Sequence, residues 1–174
     1  LYEGYGITEC GPIVSLNKPG FTKFGTIGRP LDCTEAIVTN EEMTRALPPD
    51  TTGMLLVRGV NIFTGYINYD GPSPFMEFNG KTWYRTGDLV KIDAEGFITF
   101  MGRLKRFVKI GGEMVSLPAI EEVLLEAYPN PDPKAKGPSL AVEALGEDEN
   151  PSITLFTVLD LERDQVNQTL RQTG

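Results

Sequence analysis

Short apolar runs cut by glycine and proline fill the chain from Tyr2 to about Gly102. Runs of this length, bounded by turn residues, predict strands. The predicted strands are Ile13–Leu16, Ala36–Thr39, Met54–Val57, Asp88–Ile92 and Phe97–Met101. Asp93-Ala94-Glu95-Gly96, between the last two, fits a hairpin turn. Pro48-Pro49-Asp50 and Pro72-Ser73-Pro74 mark loops. Strands this short and this closely spaced predict a small, distorted β-barrel or twisted sheet.

Beyond Gly102 the pattern changes. Phe107–Ile110 and Met114–Val115 flank Gly111-Gly112, which suits a two-residue hairpin turn. Ser116 can cap a helix that tolerates Pro118 in its first turn. Ile120, Val123, Leu124 and Ala127 then recur at helical spacing on one face, and Tyr128-Pro129 ends the run. Leu140–Leu145 and Ile153–Leu159 read as strands around the acidic turn Gly146–Pro151, and a last helix starts near Glu162. The expected fold class is α+β: a barrel subdomain over residues 1–102, then a compact but incomplete α+β unit over 103–174.

Composition narrows the function. With 40% hydrophobic and 23% charged residues the chain reads as globular. No apolar run approaches the roughly 20 residues of a membrane helix. A net charge of −8 argues against general nucleic-acid binding. Cys10 and Cys33 form neither a CxxC pair nor a disulfide framework, which suits a reducing, cytoplasmic setting. The absence of histidine excludes His-based triads and His metal sites within this chain.

Three blocks can carry chemistry. In Tyr5-Gly6-Ile7-Thr8-Glu9, glycine beside Tyr5 allows backbone to approach a flat ligand on which the ring can stack. Thr8 offers a hydroxyl to a phosphate, and Glu9 a hard oxygen to Mg²⁺. Taken alone the same five residues also describe a surface turn with one exposed acid. In Tyr84-Arg85-Thr86-Gly87-Asp88, the carboxylate after Thr-Gly can accept two hydrogen bonds from vicinal hydroxyls, or can simply cap a turn. Arg103, Lys105, Arg106 and Lys109 crowd seven positions before Gly111-Gly112. Such a cluster is usually a solvated face; here it sits at the predicted domain boundary.

Taken in this order, the three blocks resemble the adenylate-forming superfamily of acyl-CoA synthetases, adenylation domains and luciferases. That resemblance implies activation of a carboxylate by ATP as an acyl-AMP, with Mg²⁺, and transfer of the acyl group to a thiol. It implies that Tyr5 packs on adenine, with Glu3 and Gly4 bordering it. Thr8 meets the α-phosphate, Glu9 holds Mg²⁺, Asp88 binds the ribose hydroxyls and Arg103 reaches the nucleotide. Thr8 and Glu9 are the catalytic candidates. Lys105, two residues beyond Arg103, falls at the hinge, where aspartate is common and lysine an accepted variant. Lys109, Gly111 and Gly112 fall on the loop that lines a phosphopantetheine tunnel. Gly53–Gly59 and Gly65-Tyr66 also resemble the family, as scaffold.

The runs Thr8–Asn17 and Gly102–Leu117 resemble, more narrowly, the acyl–acyl-carrier-protein synthetase half of bacterial proteins that recycle 2-acylglycerophosphoethanolamine. The partners so implied are a fatty acid and acyl carrier protein, or coenzyme A in a related acyl- or aryl-CoA synthetase. An upstream acyltransferase domain would attach the parent protein to the bacterial inner membrane. The family's Ser/Thr/Gly-rich ATP loop and its terminal adenylation lysine have no match in these residues, so the chain is expected to be an inactive piece of a larger ligase. A docking module that binds an acidic carrier through Arg103–Lys109 without chemistry is the alternative from another class.

Overall fold

The computed structural model describes the chain except for Gly112, Pro133, residues 147–150 and Gly174. Two compact units divide it, Leu1–Leu104 and Lys105–Gly174.

The first unit is a curled half-barrel of antiparallel strands. Strand β1 (Gly4–Gly6) pairs with β2 (Ile13–Leu16), which pairs with β3 (Arg29–Pro30). The larger sheet is built from β4 (Thr34–Thr39), β5 (Gly53–Gly59), β6 (Phe75–Phe78), β7 (Lys81–Ile92) and β8 (Ile98–Arg103). Its order is β4-β5-β7-β6, with β8 also on β7. The curl draws the two sheets together: Ile27 N donates to Ile98 O at 2.8 Å and Ile98 N to Gly28 O at 2.9 Å. The enclosed core contains Cys10, Val14, Leu55, Val57, Val90 and Ile98, all fully buried.

All five predicted strands of this unit are present. Asp93 closes the predicted hairpin: its Oδ1 accepts from Glu95 N and Phe97 N, each at 2.9 Å. Strand β7, however, starts at Lys81 rather than Asp88. It is joined to β6 by Asn79-Gly80, which supply the two positive φ angles (50° and 69°) that a tight hairpin turn requires.

The second unit pairs β9 (Phe107–Ile110) with β10 (Glu113–Ser116) in a register that sets Ile110 opposite Glu113. That register leaves two residues for the turn, of which Gly112 lies outside the described residues. Helix α1 (Leu117–Ala127) starts as predicted, with Ser116 Oγ accepting from Ala119 N at 3.3 Å. Its buried face is carried by Leu117 and Leu124, with Ile120, Leu125 and Tyr128 packed on the same core; Ala127 is exposed, off that face. Strands β11 (Leu140–Leu145) and β12 (Ser152–Thr157) pair, and α2 (Arg163–Thr173) follows. The acidic turn predicted between these strands falls largely on 147–150, outside the described residues. Leu117, Leu124, Leu140, Val142 and Val166 form the core. Among the described residues no helix is long and apolar enough to cross a membrane.

Candidate nucleotide site

A bulge in β7 is the origin of the site. Met54 pairs with Leu89 and Leu56 with Arg85, so Thr86, Gly87 and Asp88 together stand opposite Leu55 alone. Extra residues in one strand re-aim side chains. Thr86 fixes this bulge: its Oγ1 donates to Leu55 O at 2.9 Å and accepts from Asp88 N at 3.1 Å. Gly87 takes φ +75°, which a residue with Cβ adopts only under strain. The result is a carboxylate, Asp88, that is 0% exposed.

Two distant segments meet that carboxylate. Tyr5, on β1, donates its hydroxyl to Asp88 Oδ2. Arg103, opposite Asp88 in the β7–β8 register, sets Nε 3.0 Å from Oδ1. The pair is close enough to be ionic, yet Oδ1 is buried with no aligned hydrogen-bond donor. Burial pushes the Asp88 carboxyl above the usual aspartate range, and the Tyr5 hydrogen bond and the Arg103 charge only partly offset it. Burial likewise raises the Tyr5 hydroxyl, aided by its bond to Asp88, so it is a donor at neutral pH. The Tyr5 ring stacks against Phe100, with centroids 6.1 Å apart.

The glycines beside Tyr5 have a nearer cause than a ligand. A Cβ at Gly6 would lie 2.4 Å from Pro12 O, and one at Gly4 would lie 2.8 Å from Leu16 Cδ1. At Gly6 the space is filled by backbone, so the β1–β2 pairing alone demands glycine there; at Gly4 the nearest atom is the movable tip of Leu16. Glu3 is exposed, and its carbonyl accepts from Asn17 N at 2.9 Å.

Thr8 and Glu9 lie in a single 3-10 turn, Thr8–Cys10, which ends at Gly11 in the left-handed region. Thr8 is exposed. Two residues of one downstream segment hold Glu9: Phe63 N donates to its carbonyl at 2.8 Å, and the Tyr66 hydroxyl donates to its Oε1 at 2.6 Å. The Tyr66 hydrogen bond, with help from the Arg103 charge, keeps Glu9 below the usual glutamate value. Asn61 secures the turn from the same side, with Nδ2 donating to Cys10 O at 2.8 Å and Oδ1 accepting from Thr34 Oγ1 at 3.1 Å. Neither Asn61 nor Tyr66 stands out as a site residue in the sequence; Tyr66 reads as scaffold, and only the fold joins it to Glu9.

Tyr5 and Arg103 therefore each contact Asp88, with Glu9 within reach of the Arg103 charge. A cavity of about 480 Å³ in the same unit is lined by Arg58, Phe63 and Tyr84 but not by Thr8 or Asp88. Lys105, Lys109 and Gly111 belong to the second unit. Lys105 and Lys109 are exposed and, among the described residues, have no ion-pair partner, whereas Arg106 pairs with Glu121 (2.7 Å) and Glu143 (3.3 Å). Gly112 lies outside the described residues.

A dry carboxylate with an unfilled acceptor can take hydroxyl donors. Among the described residues no cluster of three or more His, Cys, Asp or Glu could cage a metal. A single ionised Glu9 nevertheless suits Mg²⁺, which binds one or two carboxylates together with phosphate oxygens.

Adenylate-forming enzymes share this fold. ATP-bound MatB from Rhodopseudomonas palustris superposes with a TM-score of 0.77 at 26% identity, over 100% of this chain and 34% of that one. The O-succinylbenzoate coenzyme A synthetase MenE from Bacillus subtilis, solved in complex with ATP and magnesium ion, gives 0.72 at 25%, over 98% of this chain and 34% of that one. Residues 1–67 match the family described as AMP-binding enzyme. A long-chain-fatty-acid–CoA ligase of Escherichia coli O6:H1 is 35% identical over 127 residues, which is 72% of this chain and 22% of the ligase. The chain thus spans about a fifth of the length of that relative. Together these likenesses support the AMP-binding enzyme superfamily, the acyl-CoA synthetase and adenylation group, as the family of this chain.

Proposed function

We propose that this chain is part of a longer ATP-dependent acid–thiol ligase that makes a fatty acyl-AMP and passes the acyl group to a phosphopantetheine thiol. Residues 1–102 are the barrel part of its large domain, and residues 103–174 most of its smaller one. The observation that carries this reading is Asp88, a fully buried carboxylate with an unfilled acceptor, reached by Tyr5 and Arg103 from both sides.

In this reading Asp88 accepts the ribose 2′- and 3′-hydroxyls, and the Tyr5 hydroxyl gives way to one of them. The Tyr5 ring, with Glu3 and Gly4, borders the adenine. Arg103 steadies Asp88 and faces the nucleotide. Thr8 donates to the α-phosphate, and Glu9 holds Mg²⁺, which when bound supplies charge neutralisation at the phosphates. The fatty acid carboxylate attacks the α-phosphorus and pyrophosphate departs. The thiol then displaces AMP, a good leaving group that needs no histidine once the nucleophile is positioned. Lys105 is the hinge between the two half-reactions, and Lys109, Gly111 and Gly112 line the path of the thiol arm.

The name of the 35%-identical relative favours a long-chain fatty acid and coenzyme A. The runs Thr8–Asn17 and Gly102–Leu117 favour acyl carrier protein as acceptor, in phospholipid recycling at the inner membrane. Both acceptors present the same arm. The test is pyrophosphate exchange by the full-length ligase with ATP and palmitate, followed by thioester formation with coenzyme A and, separately, with acyl carrier protein. Exchange with thioester on either acceptor supports the function, and the preferred acceptor names the subfamily. No exchange with any fatty acid would overturn it.

A further inference from the structure

Glu9 is gripped twice by one short segment. Phe63 N holds its carbonyl at 2.8 Å, and the Tyr66 hydroxyl holds its Oε1 at 2.6 Å. The grip is itself braced. The Tyr66 ring packs edge-on against Phe63 at 4.8 Å and against Tyr69 at 5.2 Å, and Phe63 packs edge-on against Tyr84 at 5.6 Å. Edge-to-face aromatic contacts at these spacings are attractive and orientation-specific. Tyr66 is 47% exposed, so water could satisfy its hydroxyl at little cost. Packing therefore explains the ring but not why the hydroxyl is spent on a carboxylate.

Resting on the reading of Glu9 as the Mg²⁺ ligand, we infer that Tyr66 is a positioning residue for the metal: its hydroxyl occupies Oε1 and holds the carboxylate in place, with Oε2 left for the cation. A carboxylate held this way binds one-sidedly, which suits Mg²⁺ with its strict octahedral geometry and retained waters. Hydrogen-bonded partners of metal ligands commonly contribute ten- to hundredfold in metal affinity. Tyr66 touches neither substrate nor metal in this account; it acts through Glu9.

The test is Mn²⁺ binding, followed by electron paramagnetic resonance, in the full-length ligase carrying a non-hydrolysable ATP analogue. Tyr66→Phe keeps the ring and removes only the hydroxyl; Tyr69→Phe removes the hydroxyl of a neighbouring ring in the same cluster; Glu9→Gln removes the ligand charge. The expected result is a roughly ten- to hundredfold weaker Mn²⁺ affinity in Tyr66→Phe, with Tyr69→Phe binding as the unaltered enzyme does. Steady-state kinetics should agree, with the metal half-saturation rising more than the palmitate KM. Unchanged affinity in Tyr66→Phe beside a loss in Glu9→Gln would overturn the inference and leave the Glu9 reading intact. Unchanged affinity in Glu9→Gln would remove both. An equal loss in Tyr69→Phe, or loss of the fold in Tyr66→Phe by circular dichroism, would assign the hydroxyl to structure and overturn the inference.

Discussion

The hydroxyl of Tyr5 donates a hydrogen bond to the carboxylate of Asp88, 83 positions away in sequence. The bond ties the start of the chain to the β7 bulge, and it satisfies one oxygen of a carboxylate that water does not reach. Tyr5→Phe keeps the ring on Phe100 but leaves both Asp88 oxygens without an aligned donor. Abandoning a buried acceptor costs about 1–3 kcal/mol. Urea denaturation of the chain should show a loss in that range, and a loss under about 0.5 kcal/mol, the usual scatter of surface changes, would mean the bond is not held in solution.

Asp88 also fixes how stability responds to pH. Its folded pKa lies above the ordinary value because burial outweighs Tyr5 and Arg103. A carboxyl raised in this way binds its proton more tightly when folded, so its ionisation weakens the fold as pH rises through the folded pKa. Asp88→Asn removes that ionisation. The variant should be more stable than the unaltered chain at pH 7, and the gap should close as pH falls below about 3.9, the unperturbed aspartate value. Denaturation at several pH values checks this. A less stable variant at pH 7, or a gap that does not vary with pH, would show that Arg103 and Tyr5 stabilise the charge more than burial opposes it.

Asn61 clamps the Thr8–Cys10 turn through Cys10 O and Thr34 Oγ1. Asn61→Ala leaves both groups without that partner and should cost about 1–3 kcal/mol by denaturation. In the full-length ligase it should also weaken ATP binding, because the turn carries Thr8 and Glu9. Full stability in the variant would show that water replaces the amide.

Local signals revealed most of the fold and missed what requires the partner strand. The Asp93–Gly96 hairpin and the Ser116 cap are legible because their residues bond within a few positions. The first half of strand β7, Lys81–Gly87, is not, since Arg85, Thr86 and Gly87 interrupt any apolar alternation. What carries the strand through them is a bulge fixed to Leu55, 31 positions upstream. The Asn79-Gly80 turn that opens β7 does have a local signature, the strongest short hairpin signal there is. At the site, Asp88, Glu9 and Tyr5 were nameable from their motifs. That Tyr5 would bond Asp88, and Tyr66 would bond Glu9, depended on how the sheets curl.

Lys105 opens the second compact unit and is exposed. As the proposed hinge it must accept a change in backbone angles, which proline forbids by fixing φ near −65°. Lys105→Pro in the full-length ligase should therefore leave one half-reaction nearly intact and cripple the other, with acyl-AMP formation the better preserved. Pyrophosphate exchange and acyl transfer from preformed acyl-AMP, measured in parallel, check this. Equal losses in both, with the fold intact, would make Lys105 an ordinary surface residue.

The central claim is that Asp88 is a receptor for ribose hydroxyls, and calorimetry with a ligand lacking them tests it most directly. AMP and 2′,3′-dideoxy-AMP should be titrated into the full-length ligase and into its Asp88→Ala variant. Hydrogen bonds to a charged group contribute about 1.5–3 kcal/mol, so the unaltered ligase should bind AMP roughly ten- to hundredfold more tightly than the dideoxy form. Asp88→Ala should bind the two alike, at the weaker affinity. If the variant still discriminates between them as strongly as the unaltered ligase does, Asp88 is not the ribose ligand and the account fails at its centre.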